Sequence, residues 1–220
     1  MRSVIFDLDG TLADTSRDLI ASANACFRGL GLGDVLDPVA DAGVALRGGR
    51  AMLTLGFART GSHGPEEIDR QYPLLLEAYG ADLCRHTTLY PGVMEAVADL
   101  KDQGYAVGIC TNKPEGLAIS LMQALGVLDA FGSLVGADTL PVRKPDPEPL
   151  FEAARRAGGD PARCCLVGDS ITDFKTSRAA GVPSILVTFG PAAEEVQQFG
   201  ADALINRYED LTEVVRGLNL

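Results

Sequence analysis

Past residue 90 the chain alternates two kinds of segment. Ala106–Cys110, Ser133–Gly136, Cys164–Val167, Ser184–Val187 and Ala203–Ile205 are short runs, apolar at nearly every position. Between them, in Val93–Asp102, Pro114–Leu125, Pro147–Ala157, Thr172–Ala180 and Tyr208–Leu218, apolar residues recur every three or four positions. The first kind predicts β-strands and the second α-helices. One more apolar run, Ser3–Leu8, opens the chain. Strands that lack polar alternation are buried on both faces, as in a parallel sheet covered by helices on each side. The expected fold is therefore α/β, with a Rossmann-like parallel sheet.

Residues 14–88 break this alternation. They carry helical patterns at Ser16–Leu30, Pro38–Ala45, Ala51–Arg59 and Glu66–Arg85 and no convincing strand. That predicts an α-helical cap domain, residues 14–88, inserted into a core made of residues 1–13 and 89–220. Pro91-Gly92 marks the return to the core, with Pro91 preparing the first turn of the next helix.

Charge then narrows the partners. Across 220 residues, 19 Lys and Arg stand against 30 Asp and Glu, a formal net charge of −11. Such a chain repels polyphosphate backbones and anionic bilayers, so neither nucleic acid nor membrane is an expected partner. No apolar run approaches the ~20 residues of a membrane helix, and the N-terminus enters a strand without room for an export leader. A cytoplasmic monomer or homodimer is expected. The five cysteines, Cys26, Cys84, Cys110, Cys164 and Cys165, are odd in number and fall largely in apolar runs, which favours reduced, buried thiols. With no C-x-x-C pair and only His63 and His86, a zinc site is not expected. His63 precedes Gly64-Pro65 in a turn and is given no catalytic part.

The candidate chemistry lies at strand ends. The first strand finishes in Asp7-Leu8-Asp9-Gly10-Thr11. In open α/β sheets ligands bind beyond the carboxyl ends of the strands. Residues two apart in an extended segment point the same way, so Asp7 and Asp9 can address one ligand. Two carboxylates so close call for a cation or for one protonated partner. A second acidic pair follows another strand in Gly168-Asp169-Ser170-Ile171-Thr172-Asp173. Hard oxygen ligands without His or Cys suit Mg²⁺, which takes one or two carboxylates together with a substrate phosphate. A plainer reading of this segment is a helix N-cap at Asp169 or Ser170.

Two basic loops complete the set. Cys110-Thr111-Asn112-Lys113-Pro114 follows a strand and opens a helix, bringing a hydroxyl, an amide and an ammonium to an anion-binding helix N-terminus. Arg143-Lys144-Pro145-Asp146-Pro147 holds Lys144 in a loop before another helix. The chain has only four lysines, Lys101, Lys113, Lys144 and Lys175, and two of them sit in these loops.

D-L-D-G-T (Asp7–Thr11), Thr111, Lys144 and G-D-S-I-T-D (Gly168–Asp173), in this order with a helical insertion after the first, resemble the four motifs of haloacid-dehalogenase-superfamily phosphatases. The resemblance covers the whole chain. Within the family, D-L-D-G-T-L-A-D, T-N-K-P and K-P-D-P-x-P-L are most similar to bacterial phosphoglycolate phosphatases. It implies that Asp7 is the nucleophile of an aspartyl-phosphate route and that Asp9 is the general acid and base. Thr111 and Lys144 would hold the transferring phosphoryl group. Asp7, the carbonyl of Asp9 and Asp169 would ligate Mg²⁺, with Asp173 acting through water or by orienting Lys144. Asn112 and Lys113 join the expected substrate-binding residues, and the expected ligand is a small phosphorylated metabolite.

Related chemistries remain beside this one. A dehalogenase has no use for Asp9, and a phosphonate-cleaving relative needs a cap lysine that residues 14–88 lack. A β-phosphoglucomutase-like enzyme or a pyrophosphatase shares the motifs. A receiver-like phosphoacceptor domain, the non-enzymatic alternative, is shorter and has no helical insertion. Specificity is expected from the cap, where Leu46-Arg47-Gly48-Gly49-Arg50 offers Arg47 or Arg50 to pair with a substrate carboxylate. Phosphoglycolate phosphatases often carry G-x-G at this point, and Arg47 takes the place of the first glycine.

Overall fold

The computed structural model describes residues 1–218 and 220. The chain opens with β1 (Ser3–Phe6) and a two-residue β2 (Ala13–Asp14), followed by α1 (Ser16–Gly29), α2 (Ala42–Ala45), α3 (Gly49–Thr60) and α4 (Pro65–Ala81). After β3 (Thr88–Leu89) come α5 (Val93–Asp102), β4 (Ala106–Cys110), α6 (Glu115–Ala124), β5 (Leu134–Val135) and α7 (Glu148–Arg156). The last elements are β6 (Cys164–Gly168), α8 (Ile171–Ala180), β7 (Ser184–Val187), α9 (Ala193–Val196), β8 (Ala203–Ile205) and α10 (Leu211–Gly217). The chain folds as two compact units, Met1–Ala13 with Leu89–Leu220, and Asp14–Thr88.

The larger unit is the expected α/β fold. Its six-stranded sheet runs β5-β4-β1-β6-β7-β8, and every pairing is parallel. Val4 lies between Val107 of β4 and Cys165 of β6. All residues of β1, β4, β6 and β7 are buried, which is why these strands read as unbroken apolar runs. From β1 the chain steps through β4 and β5 toward one edge, then through β6, β7 and β8 toward the other. The carboxyl ends of β4, β1 and β6 therefore lie side by side where the winding reverses, the place where open parallel sheets bind ligands.

β1 stops at Phe6, short of the expected Leu8, for a local reason. Asp7 N–H still reaches Val167 O at 2.8 Å, but Leu8 N–H turns onto Asp7 Oδ1 at 2.7 Å. The Leu8 carbonyl then accepts from the amides of Thr11, Leu12 and Ala13 in a tight loop. Gly10, at φ 83°, occupies the left-handed region that this loop requires. The five cysteines are all free, and four of them are buried. No helix among the described residues is long and apolar enough to cross a membrane.

The smaller unit is helical. Phe27 of α1 and Phe57 of α3 meet edge to face with centroids 5.3 Å apart. Gly56 permits that approach, since a Cβ there would lie 2.1 Å from Phe27 Cζ. Asp41, buried, forms a two-pronged ion pair with Arg59, both N···O distances being 2.6 Å. Asp18, also buried, accepts from the amides of His86 and Thr87 and from the Thr87 hydroxyl at 2.7 to 3.0 Å, which ties α1 to the returning chain.

Two helix expectations need correction here. The Pro38–Ala45 helix is reduced to Ala42–Ala45, because Asp37 Oδ1 takes the amides of Val39 and Ala40 and Asp41 takes that of Asp37, holding a turn instead. The Glu66–Arg85 helix ends at Ala81, before the stretch that Asp18 draws toward α1. β2 and β3 pair as a separate two-stranded sheet at the two points where the chain passes between units. The pattern of residues 14–88 showed no strand because two residues carry no period.

Candidate active site

Asp7, Asp9 and Thr11 stand on the loop that leaves β1. Asp7 Oδ1 accepts from Leu8 N–H and lies 3.0 Å from Lys144 Nζ. Asp9 Oδ1 accepts from Lys113 Nζ at 2.8 Å, a pair whose lysine side chain is only 3% exposed. Thr11 points its hydroxyl to Asp169 Oδ1 at 2.9 Å, across 158 positions of sequence. The first strand's loop is thus joined to the loops after β4, before α7 and after β6.

The loop after β6 is built around Asp173. Ser170 is the N-cap of α8, and its hydroxyl and the Asp173 side chain form a reciprocal capping box. Asp173 Oδ2 accepts from Ser170 Oγ at 2.6 Å and from the amides of Ser170 and Asp169 at 3.2 and 3.3 Å. Its other oxygen accepts from Lys144 Nζ at 2.6 Å. The capping and the chemical readings of this segment therefore coexist in one carboxylate. Gly168 makes room for it, since a Cβ at Gly168 would lie 2.4 Å from Asp173 Cβ and Cγ.

Lys144 is 3% exposed and sits between Asp7 and Asp173. Burial alone would push its ammonium pKa down, but the two carboxylates, Asp173 above all, more than offset this and keep it charged. Its loop is anchored by Asn112, whose Nδ2 donates to the Lys144 carbonyl at 3.0 Å. The Asn112 amide nitrogen, expected to meet a ligand, is engaged in that bond. The N-terminus of α6, expected as an anion site, also has an internal partner, because Glu115 N–H donates to Asp138 Oδ1 at 2.7 Å. Thr111, 3% exposed, follows β4; its amide donates to Val135 O and its hydroxyl accepts from Lys113 N–H at 3.2 Å.

Asp7, Asp169 and Asp173 each place one carboxylate oxygen within 4.8 Å of the others. Burial, then Lys144 acting downward and Asp173 and Asp9 upward, leave the Asp7 carboxyl raised to about 6. Burial and the neighbouring Asp173 and Asp7 push Asp169 well above the ordinary carboxylate range. Three carboxylates facing one ammonium are short of positive charge, and a hard, all-oxygen donor set of this kind suits a divalent cation. Asp7 and Asp169 each have Oδ1 hydrogen-bonded, to Leu8 N–H and to the Thr11 hydroxyl.

Asp7, Asp9, Thr111, Asn112, Lys113, Lys144, Asp169 and Asp173 all fall at this end of the sheet, whereas Arg47 and Arg50 belong to the helical unit. Arg50 pairs with Asp69 at 2.6 Å and lies over the Tyr72 ring, 4.8 Å from its centroid. Thr11 and Gly168 enter the sequence only as letters of motifs, whereas Ser170, offered there as one of two N-cap candidates, is the N-cap. The S-x-x-D spacing of Ser170 and Asp173 was the available signal for the capping box. Nothing local announces the bond from Thr11 to Asp169.

Residues 4–187 match the family model described as haloacid dehalogenase-like hydrolase. The phosphoglycolate phosphatase of Mesorhizobium japonicum is 40% identical over 213 residues, spanning 95% of this chain and 92% of that protein. The N-acetylmuramic acid 6-phosphate phosphatase of Pseudomonas putida is 35% identical over 218 residues, spanning 98% and 96%. Among solved structures, a predicted phosphoglycolate phosphatase from Haemophilus somnus superposes with a TM-score of 0.83 at 25% identity, covering 97% of each chain. A match through most of the core and the whole inserted unit, on a parallel sheet with acids at its switch point, means that the chain belongs to the haloacid dehalogenase-like hydrolase family.

Proposed function

We propose that the protein is a Mg²⁺-dependent phosphomonoester hydrolase that works through an aspartyl-phosphate on Asp7, with 2-phosphoglycolate as its substrate. The observation that carries this reading is Lys144 held between Asp7 and Asp173, at 3.0 and 2.6 Å. A buried ammonium fixed against one carboxylate and touching a second is placed to take phosphoryl oxygens beside an attacking carboxylate. Asp7 attacks phosphorus, and the bond from phosphorus to the glycolate oxygen breaks. Asp9 gives its proton to that leaving oxygen, then takes one from the water that attacks the aspartyl-phosphate and returns Asp7 with release of inorganic phosphate. Lys113 holds Asp9 in place between the two steps, and Thr111 and Lys144 hold the phosphoryl oxygens. Asp7, the Asp9 carbonyl and Asp169 would hold Mg²⁺, which when bound neutralises charge on the phosphoryl group. Asp173 orients Lys144.

The relatives' names support the substrate class. Phosphoglycolate and N-acetylmuramic acid 6-phosphate both combine a phosphomonoester with a carboxylate. A steady-state screen with Mg²⁺ over these two esters, β-glucose 1-phosphate and pyrophosphate tests the assignment. 2-Phosphoglycolate is expected to lead in kcat/KM by at least about 10-fold, a margin that recognition of a charged group readily supplies. Faster turnover of the sugar phosphate or pyrophosphate would overturn it, and chelation of the metal should abolish all activity. We assign recognition of the carboxylate to Arg47 and Arg50 in the cap. Their alanine variants are expected to raise KM for phosphoglycolate while sparing a simple aryl phosphate; unchanged KM in both refutes that assignment.

The cation also has a signature in stability. Asp7 titrates at about 6 in the fold, against 3.8 for the ordinary group. Between those values the folded state keeps a proton that the unfolded chain has released, so stability falls as pH rises through this window. A Mg²⁺ held by Asp7 would stand in place of that proton. Its addition is expected to raise Tm more at about pH 7.5 than at about pH 5, because at low pH the cation must first displace protons. Equal shifts at both values, followed by scanning fluorimetry, would remove Asp7 from the cation site.

A further inference from the structure

Tyr208 lies beyond the part of the chain that matches the family model, in the turn that precedes α10. Its side chain is 1% exposed, and its hydroxyl donates to the Thr11 carbonyl at 2.7 Å, across 197 positions of sequence. Thr11 is itself fully buried and donates through its own hydroxyl to Asp169 Oδ1 at 2.9 Å. The two bonds form a relay, Tyr208 to the Thr11 peptide and the Thr11 side chain to Asp169. The next carbonyl of the loop is held in a similar way, as Leu12 O accepts from Tyr90 N–H at 3.0 Å. The tilted rings of Tyr90 and Phe189 lie 4.6 Å apart and those of Phe189 and Tyr208 5.4 Å apart, so the residues that hold the two carbonyls belong to one aromatic cluster.

Burial alone does not account for this arrangement. The Tyr105 hydroxyl is also buried and has no hydrogen-bond partner among the described residues, so the fold does not satisfy every buried phenol. Tyr208 finds its partner on Thr11, whose hydroxyl donates to the Asp169 carboxylate. A threonine hydroxyl on a loose peptide would sample several rotamers and hold Asp169 only part of the time. Fixing the peptide fixes the hydroxyl's origin, and with it the direction of the carboxylate's second oxygen.

We propose that Tyr208 is a positioning residue for the cation site, holding the Thr11 peptide so that the Thr11 hydroxyl aligns Asp169. This rests on the reading of Asp169 as a Mg²⁺ ligand. Outer partners of metal ligands typically change affinity by about 10- to 100-fold, and a residue one bond further out is expected at the low end.

The test is calorimetric titration of the metal-free, full-length protein with Mg²⁺ alone, comparing the parent with Tyr208→Phe, Thr11→Val, their combination, and Phe189→Leu. Tyr208→Phe keeps the ring and is expected to weaken Mg²⁺ binding by roughly 3- to 10-fold, with kcat recovered at saturating Mg²⁺. Thr11→Val is expected to weaken it at least as much, and adding Tyr208→Phe to it should cost nothing more, as two members of one relay require. Phe189→Leu, which loosens the ring cluster but keeps the hydroxyl, should lower Tm more than Mg²⁺ affinity. The proposal falls if Tyr208→Phe binds Mg²⁺ as tightly as the parent, if the two losses are independent, or if Phe189→Leu weakens binding equally. A parent that binds no Mg²⁺ sinks the cation site and this inference together. A parent that binds Mg²⁺ and hydrolyses phosphoglycolate, with an unaffected Tyr208→Phe, sinks only the inference.

Discussion

Asp7→Asn is expected to lose at least about 10⁴-fold in kcat while remaining folded, because the amide keeps the shape of the carboxylate but removes the attacking oxygen. Loss of the nucleophile differs from loss of a binding group. Rapid quenching of the parent with 2-phosphoglycolate should capture a protein heavier by one phosphoryl group and sensitive to hydroxylamine, and the variant should never show it. Stability supplies a second, opposite readout. The Asp7 carboxyl is raised to about 6, so its ionised form destabilises the metal-free fold at neutral pH. The metal-free variant should therefore melt no lower than the parent at about pH 7.5, and it should lose most of the Tm gain that Mg²⁺ confers. A variant that retains turnover, or a parent that forms no phosphoprotein, would exclude Asp7 as nucleophile.

Lys144→Met is expected to be damaging in both activity and stability. The methionine fills a similar volume but leaves Asp7 and Asp173 buried without the ammonium that now lies 3.0 and 2.6 Å away. Removing one partner from a buried ionic cluster typically costs about 3–5 kcal/mol. In a chain of this size that corresponds to a Tm lower by about 10 °C. The sign with pH is fixed by Asp7. Without Lys144, whose charge lowers it, the Asp7 carboxyl holds its proton to still higher pH in the fold than in the unfolded chain, so the loss should be larger at about pH 8 than at about pH 5. Turnover should drop by at least about 10³-fold even below the melting range, since the phosphoryl oxygens lose their fixed cation. If Lys144→Met melts like the parent at both pH values, the ion cluster is not what holds this corner of the fold.

The central strands of the core were readable because each is buried on both faces, and continuous burial leaves a continuous apolar run; Ala106–Cys110 and Ser184–Val187 fall where the pattern puts them, as does the edge strand Ala203–Ile205, although its Leu204 is exposed. The two-residue β2 and β3 and the single helical turn of α9 are too short to show any period. Pro38–Ala45 misled for another reason. Its spacing suits a helix, but the carboxylates of Asp37 and Asp41 hold the amides of Val39, Ala40 and Asp37 in a turn. Local hydrogen bonding outcompeted periodicity there.

The acids and bases of the candidate site were visible in outline, since each stands at a strand end, where a parallel sheet gathers ligands. Their mutual assignments were not visible in the residues alone. The residues themselves carry Asp7 beside Asp9, Asp169 four positions before Asp173, and two lysines in loops. The family resemblance offered Asp173 as orienting Lys144, but the residues by themselves left the pairings open, and the fold places Lys113 on Asp9 and Lys144 between Asp7 and Asp173. Asn112 resembled a ligand-binding amide by its position, and the fold gives its nitrogen to the Lys144 loop.

Local pattern, which reports how each residue meets water, was thus enough for the parallel α/β core, the helical character of residues 14–88 and the strand ends that carry the chemistry. Pairings between side chains far apart in sequence depend on how strands are ordered in the sheet, and no periodicity encodes that order. The bonds from Thr11 to Asp169 and from Tyr208 to Thr11 exist only because β1 lies beside β6 and the C-terminal segment returns to the β1 loop.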